Sequence, residues 1–147
     1  MKSLWNPHLR DELVRRLAGL TPDRPAQWGR MTCPQMVVHV TDAFAMYCGD
    51  ITAPVKHTPL LYFPLKHAIV YLLPMPKNAP TARELKSRAP GEWNAEMERL
   101  HSAIARFADR GMRADWPLHP LFGRLSLRAY GVLAYKHTDH HLRQFGA

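Results

Sequence analysis

The stretch Met36–Tyr47 constrains this chain more than any other. Met36, Val37, Val38, Val40, Ala43, Phe44, Ala45, Met46 and Tyr47 leave little polar arc if the segment is helical. A helix that is apolar around most of its circumference has to be surrounded by other helices. Local signals support the helix. Thr32 with Gln35 three residues later has the form of a capping box, Pro34 is tolerated in a first turn, and Gly49-Asp50 supplies a stop. His39 lies inside this segment, on the stripe shared by Met36 and Ala43. A buried polar atom left unpaired costs about 1–3 kcal/mol, so the ring needs a partner. Asp42, three residues on, is placed to reach the same cavity. A lone histidine on an apolar stripe is ordinarily a hydrogen-bonded core residue, and only the rest of the chain can raise it above that.

The C-terminal segment does so. With Ser126 as N-cap, Tyr130, Leu133, Ala134, His137, His141 and Gln144 share one broad stripe of a last helix. His137 and His141 are four residues apart, which puts both rings on one face where a single ion can be shared. Alone, this stretch reads equally well as a solvated helix end. With His39 available on an interior stripe, the candidate metal ligands become His39, His137 and His141. His140 projects roughly 60° from His137 and about 100° from His141, and is the poorer partner.

Two further helices complete the pattern. Asn6-Pro7 opens the first, on which Leu9, Leu13, Leu17 and Leu20 recur at helical spacing, with Gly19 as a stop just before a Thr21–Pro25 loop. Trp93, Met97, Leu100, Ile104 and Phe107 mark the third main helix, which ends near Gly111; His101 sits beside its stripe and reads as structural. Between the second and third helices, six prolines from Pro54 to Pro80 predict a mostly irregular insertion. Two helical turns fit between Pro64 and Pro74, and such an insertion can cap the mouth of a site. Thr81-Ala82-Arg83-Glu84 again has capping-box form, cut short by Pro90-Gly91. His57 and His67 read as surface residues, and neither His119 nor His140 receives a role.

At 147 residues the chain fits one domain, 1–147, with a real core, and 46% apolar residues is ordinary for a globular protein. The longest apolar region, Leu60 to Leu73, is interrupted and too short to span a bilayer, and the N-terminus lacks a signal-peptide run. A soluble cytoplasmic protein without membrane contact is the expectation. Cys33 and Cys48 fall on one helix, and a rise of about 1.5 Å per residue sets them roughly 22 Å apart, which excludes a disulfide between them. The net charge of +8 is spread along the chain without a dense basic run, so no specific nucleic-acid partner is expected.

Taken together, these residues resemble the DinB/YfiT-like superfamily of metal-dependent enzymes, and more closely one of its uncharacterised bacterial branches. His39-Val40-Thr41-Asp42 resembles the superfamily's first ligand motif. His137 and His141, with Gln144 after them, resemble its second. Trp28-Gly29-Arg30-Met31, His119-Pro120-Leu121-Phe122-Gly123 and His141–Gly146 resemble the branch, so the likeness covers nearly the whole chain. The resemblance implies an all-α four-helix bundle with an uncommon connection order, often a homodimer, holding a divalent transition metal through three histidines. It implies a small-molecule substrate and, as in characterised relatives, a low-molecular-weight thiol as co-substrate; the nitrogen ligands themselves suit zinc, nickel, copper or iron, with zinc the expected ion and nickel an alternative. Three imidazoles leave an open position on the ion. Thiol (S-)transfer is therefore expected ahead of metal-dependent hydrolysis, with Asp42 orienting His39 or accepting a proton. A non-catalytic metal-binding bundle is the contrasting expectation.

Overall fold

The computed structural model describes residues 1–78, 85, 88–111 and 115–147. Among them the chain is mostly helical and has no strand, as expected of an all-α protein. Five α-helices are formed: α1 (Pro7–Ala18), α2 (Cys33–Cys48), α3 (Leu65–His67), α4 (Trp93–Arg110) and α5 (Leu127–Gln144). A short 3₁₀ turn at Pro59–Leu61 precedes α3, which continues as a π-turn over Ala68–Leu72. The candidate capping box at Thr81–Glu84 lies outside the described residues.

The helix ends follow from local chemistry. Asn6 accepts from the amides of His8 and Leu9, with Pro7 in the first turn. Thr32 and Gln35 satisfy each other's backbone donors in a complete capping box, and Gly49 ends α2 in the left-handed conformation. Ser126 caps α5 through the amide of Ala129 at 3.2 Å. The α4 cap comes from Glu92, whose carboxylate accepts from the amides of Asn94 and Ala95.

Side-chain pairings fix how the four long helices run. Trp5 donates to the Leu127 carbonyl and Arg16 pairs with Asp139, so α1 and α5 run the same way. Asp42 faces Arg88 just before α4, and the Cys48 carbonyl accepts from Arg110 at its far end, so α2 and α4 also run together. Tyr47 meets Tyr130 while His39 meets His137 and His141, which makes α2 antiparallel to α5. As its composition requires, α2 packs against both α4 and α5 and is buried at twelve of its sixteen positions. One apolar core runs from Leu4 and Leu13 through Met36, Val40 and Phe44 to Leu100, Phe107, Tyr130 and Phe145. Cys33 and Cys48 are both free and buried.

The insertion packs on the outer side of α5 as a second apolar cluster of Val70, Phe122, Ala129 and Leu133. Lys136, one residue before His137, ties it down: its Nζ donates to the carbonyls of Ile69, Val70 and Leu73 at 2.7, 3.1 and 2.6 Å. These are carbonyls at the end of the π-turn, which the turn itself leaves unbonded. Lys136→Met removes all three bonds, and we expect the amides of Ile69–Leu73 to exchange much faster with solvent while those of α2 stay protected. Unchanged exchange at Ile69–Leu73 would show that apolar packing alone holds the insertion. No helix among the described residues is long and apolar enough to cross a membrane.

Candidate metal centre

His39 sits in the middle of α2, and His137 and His141 lie a turn apart near the C-terminal end of α5. Because the two helices are antiparallel neighbours, the three rings meet inside the fold. The Nε2 atoms of His39 and His137 are 3.0 Å apart, and those of His137 and His141 are 3.2 Å apart. One ring nitrogen from each residue lies within 4.8 Å of the other two. The rings cross steeply, at 87°, 72° and 69°, so they meet edge to edge instead of stacking.

The proton positions follow from the neighbours. Gln144 Nε2 donates to the Trp28 carbonyl at 2.9 Å, which leaves Gln144 Oε1 to accept from His141 Nδ1 at 2.8 Å. His141 therefore carries its proton on Nδ1 and presents a lone pair from Nε2. His137 Nδ1 lies 3.3 Å from the Tyr47 hydroxyl, and its Nε2 faces both other rings with at most one proton between them. Neutral imidazoles cannot satisfy both contacts. Protonation offers no relief, because burial opposes it. Burial lowers His39 to about 4, although the Leu85 backbone beside it acts in the other direction. Burial and then the His39 charge lower His141 to about 3. Burial, His141 and His39 together hold His137 well below the ordinary value, although the residue as a whole is only half-buried.

A cation that takes one lone pair from each ring resolves the conflict. Zinc–nitrogen bonds of about 2.0–2.1 Å in a tetrahedron put neighbouring ligand atoms roughly 3.3–3.4 Å apart, close to the spacing here. The residues thus fit a divalent metal held through three Nε2 atoms. His39 Nδ1 has no hydrogen-bond partner of ordinary geometry among the described residues. Of the three rings, His141 is the one whose orientation a neighbour's hydrogen bond fixes most firmly.

The sequence stripe anticipated Gln144 but not what it touches. Gly29, at φ +83°, makes room for it: a Cβ there would lie 2.7 Å from Gln144 Nε2. Gln144→Leu leaves all three ligands in place and removes the hold on His141. We expect zinc affinity, measured by chelator competition, to fall about 10–100-fold with the stoichiometry unchanged. An unaltered affinity would mean that Gln144 only bridges α5 to the Trp28 loop.

Asp42 is not brought to the cluster. It is buried, and its Oδ1 faces Arg88 Nη2 at 3.4 Å instead of making the orienting contact to His39. Arg88 also pairs with Glu96 at 2.6 Å, and Glu96 is buried to 1% exposure with Arg99 on the same oxygen. The charged group Asp42–Arg88–Glu96–Arg99 belongs to the α2–α4 seam; Asp42 stands only about 60° around the helix from His39, and Arg88 engages it on the α4 side.

Tyr47 was read from the sequence only as an apolar position. Its hydroxyl makes the contact to His137, and burial holds it protonated far above the usual range. His119 is buried beside Tyr47, with ring centroids 5.9 Å apart. Its Nδ1 accepts from the amides of Leu121 and Phe122 at 3.1 and 3.3 Å, which locks the Pro120–Gly123 turn, and burial lowers it to about 4. No signal in the spacing marked either contact.

No curated protein and no solved structure matches the chain. Residues 52–147 match a family described as "Protein of unknown function (DUF1569)". That span holds the insertion, α4 and α5, with His119, His137 and His141; His39 precedes it. The match covers well over half of the chain, which therefore belongs to the DUF1569 family.

Proposed function

We propose that this protein is a divalent-metal-dependent enzyme of the DinB/YfiT-like type, a four-helix bundle of α1, α2, α4 and α5. It acts on a small electrophilic substrate with a low-molecular-weight thiol. The observation that carries this reading is the convergence of the His39, His137 and His141 Nε2 atoms at 3.0 and 3.2 Å. These three residues hold the metal, zinc first and nickel second. When bound, the ion would supply an open position whose Lewis acidity lowers the pKa of a thiol and favours its thiolate, the proton passing to solvent.

The chain's own residues do the positioning. Gln144 keeps the His141 lone pair directed inward, and the Tyr47 hydroxyl steadies His137 from behind. Asp42, engaged with Arg88, takes no part in this reading.

Protein purified without a histidine tag should contain about one transition-metal ion per chain. Its cobalt-substituted form should gain a sulfur-to-metal absorption band when mercaptoethanol is added. A metal-free protein indifferent to zinc and to chelators would falsify the metal site. A loaded protein whose cobalt spectrum ignores thiols keeps the site and shifts the reading to hydrolysis.

A further inference from the structure

Trp28 links the imidazole cluster to the surface. Its carbonyl accepts from Gln144, which in turn holds His141, so the Trp28 backbone is fixed relative to the cluster by two hydrogen bonds. Its indole Nε1–H is buried and makes no hydrogen bond among the described residues. A buried donor left open is a bond that a ligand can complete. Lys77, at the end of the insertion, places its ammonium 4.3 Å from the centre of the Trp28 ring. His140 meets Trp28 edge-on at 5.8 Å on one side and His141 at 5.3 Å on the other. The neighbouring carboxylate, Asp139, is turned to Arg16 at 2.7 Å and Arg143 at 2.9 Å. Next to the cluster there is thus a fixed N–H donor, an ammonium and an imidazole.

The geometry points to an anion subsite in which Trp28 Nε1–H, Lys77 and His140 receive a carboxylate carried by the thiol co-substrate. Donors and cations gathered around an unmade hydrogen bond recognise a carboxylate better than an alcohol of the same shape. This rests on the thiol reading only for what the ligand's other end does. Lys77 belongs to the insertion and Trp28 to the loop before α2, so the subsite's selectivity would be set by two segments that contribute no metal ligand.

The test compares γ-mercaptobutyrate with its alcohol analogue, and butyrate with butanol, on the cobalt-loaded protein. Cobalt absorption reports the sulfur, and tryptophan fluorescence reports the carboxylate end. We expect the charged thiol to bind roughly tenfold more tightly than the alcohol. Lys77→Met, at an exposed residue, and Trp28→Phe, which keeps the ring and the carbonyl, should each remove most of that preference. Equal binding of charged and uncharged probes, or a preference untouched in both variants, overturns the subsite. If no thiol reaches cobalt yet butyrate still outbinds butanol and Lys77→Met abolishes this, the subsite stands and the thiol reading falls.

Discussion

Replacing His137 with leucine abolishes tight metal binding and with it the metal's contribution to stability. His137 is the ring in contact with both others, so its loss leaves His39 and His141 without a common neighbour. Two remaining ligands do not make a three-coordinate site. The loss should therefore exceed the 10–100-fold typical of an outer-shell change. Thermodynamic linkage makes this visible in unfolding experiments. Zinc at about a hundredfold its dissociation constant adds about 2.7 kcal/mol to the native protein, and the variant should gain none of it. Leucine refills most of the space, and the metal-free variant should unfold no more easily than the metal-free parent. That parity separates a binding residue from a packing residue. A variant still stabilised by zinc would show that the ion, if present, is held elsewhere.

The parts of this structure that were legible in the sequence are those decided within a few residues. Asn6-Pro7, Thr32 with Gln35, Ser126, Gly49 and Gly111 each act on the backbone next to them, and the helices begin and end accordingly. Four-residue spacing likewise puts His137 and His141 on one face whatever surrounds them. The third ring was legible because α2 is apolar almost all round, so a polar residue on its stripe had to face another helix. What escaped reading depends on partners far along the chain. Asp42 chose Arg88, forty-six residues away, over His39 three residues away. Tyr47 reaches His137 across ninety positions, and Trp28 reaches Gln144 across one hundred and sixteen. An i, i+3 acid looks like a natural companion for a histidine. An arginine at the seam between α2 and α4 outcompeted it, because a buried carboxylate needs a charge partner more than a neutral imidazole does.

The metal-free protein should lose stability steadily as the pH falls from about 7 to about 5. The sign follows from where protons bind. In the unfolded chain the histidines titrate near about 6.5. In the folded chain burial lowers His39 and His119 to about 4 and His141 to about 3, with His137 also far down. Over this window the unfolded state takes up protons that the folded state refuses, so acid favours unfolding. The stability at stake is fully present above about 6.5 and drains away as the pH drops toward the folded values. At about pH 5 a ring lowered to about 4, as His119 is, costs on the order of 2 kcal/mol, and the clustered rings act in the same direction. Most carboxylates titrate below this range, and Asp42, raised by burial, acts in the opposite sense, so a loss of stability with acid here comes from the imidazoles. Zinc should hold the protein folded to lower pH, because the ion needs the same neutral rings and protons must displace it first. Urea unfolding at a series of pH values, with chelator and with zinc, measures both curves. The His137→Leu variant lacks one of the four rings, so its chelated curve should be visibly shallower. A flat curve for the chelated parent would mean that these rings open to solvent and take protons without unfolding the chain, and a cluster that loose could not hold three nitrogens on one ion.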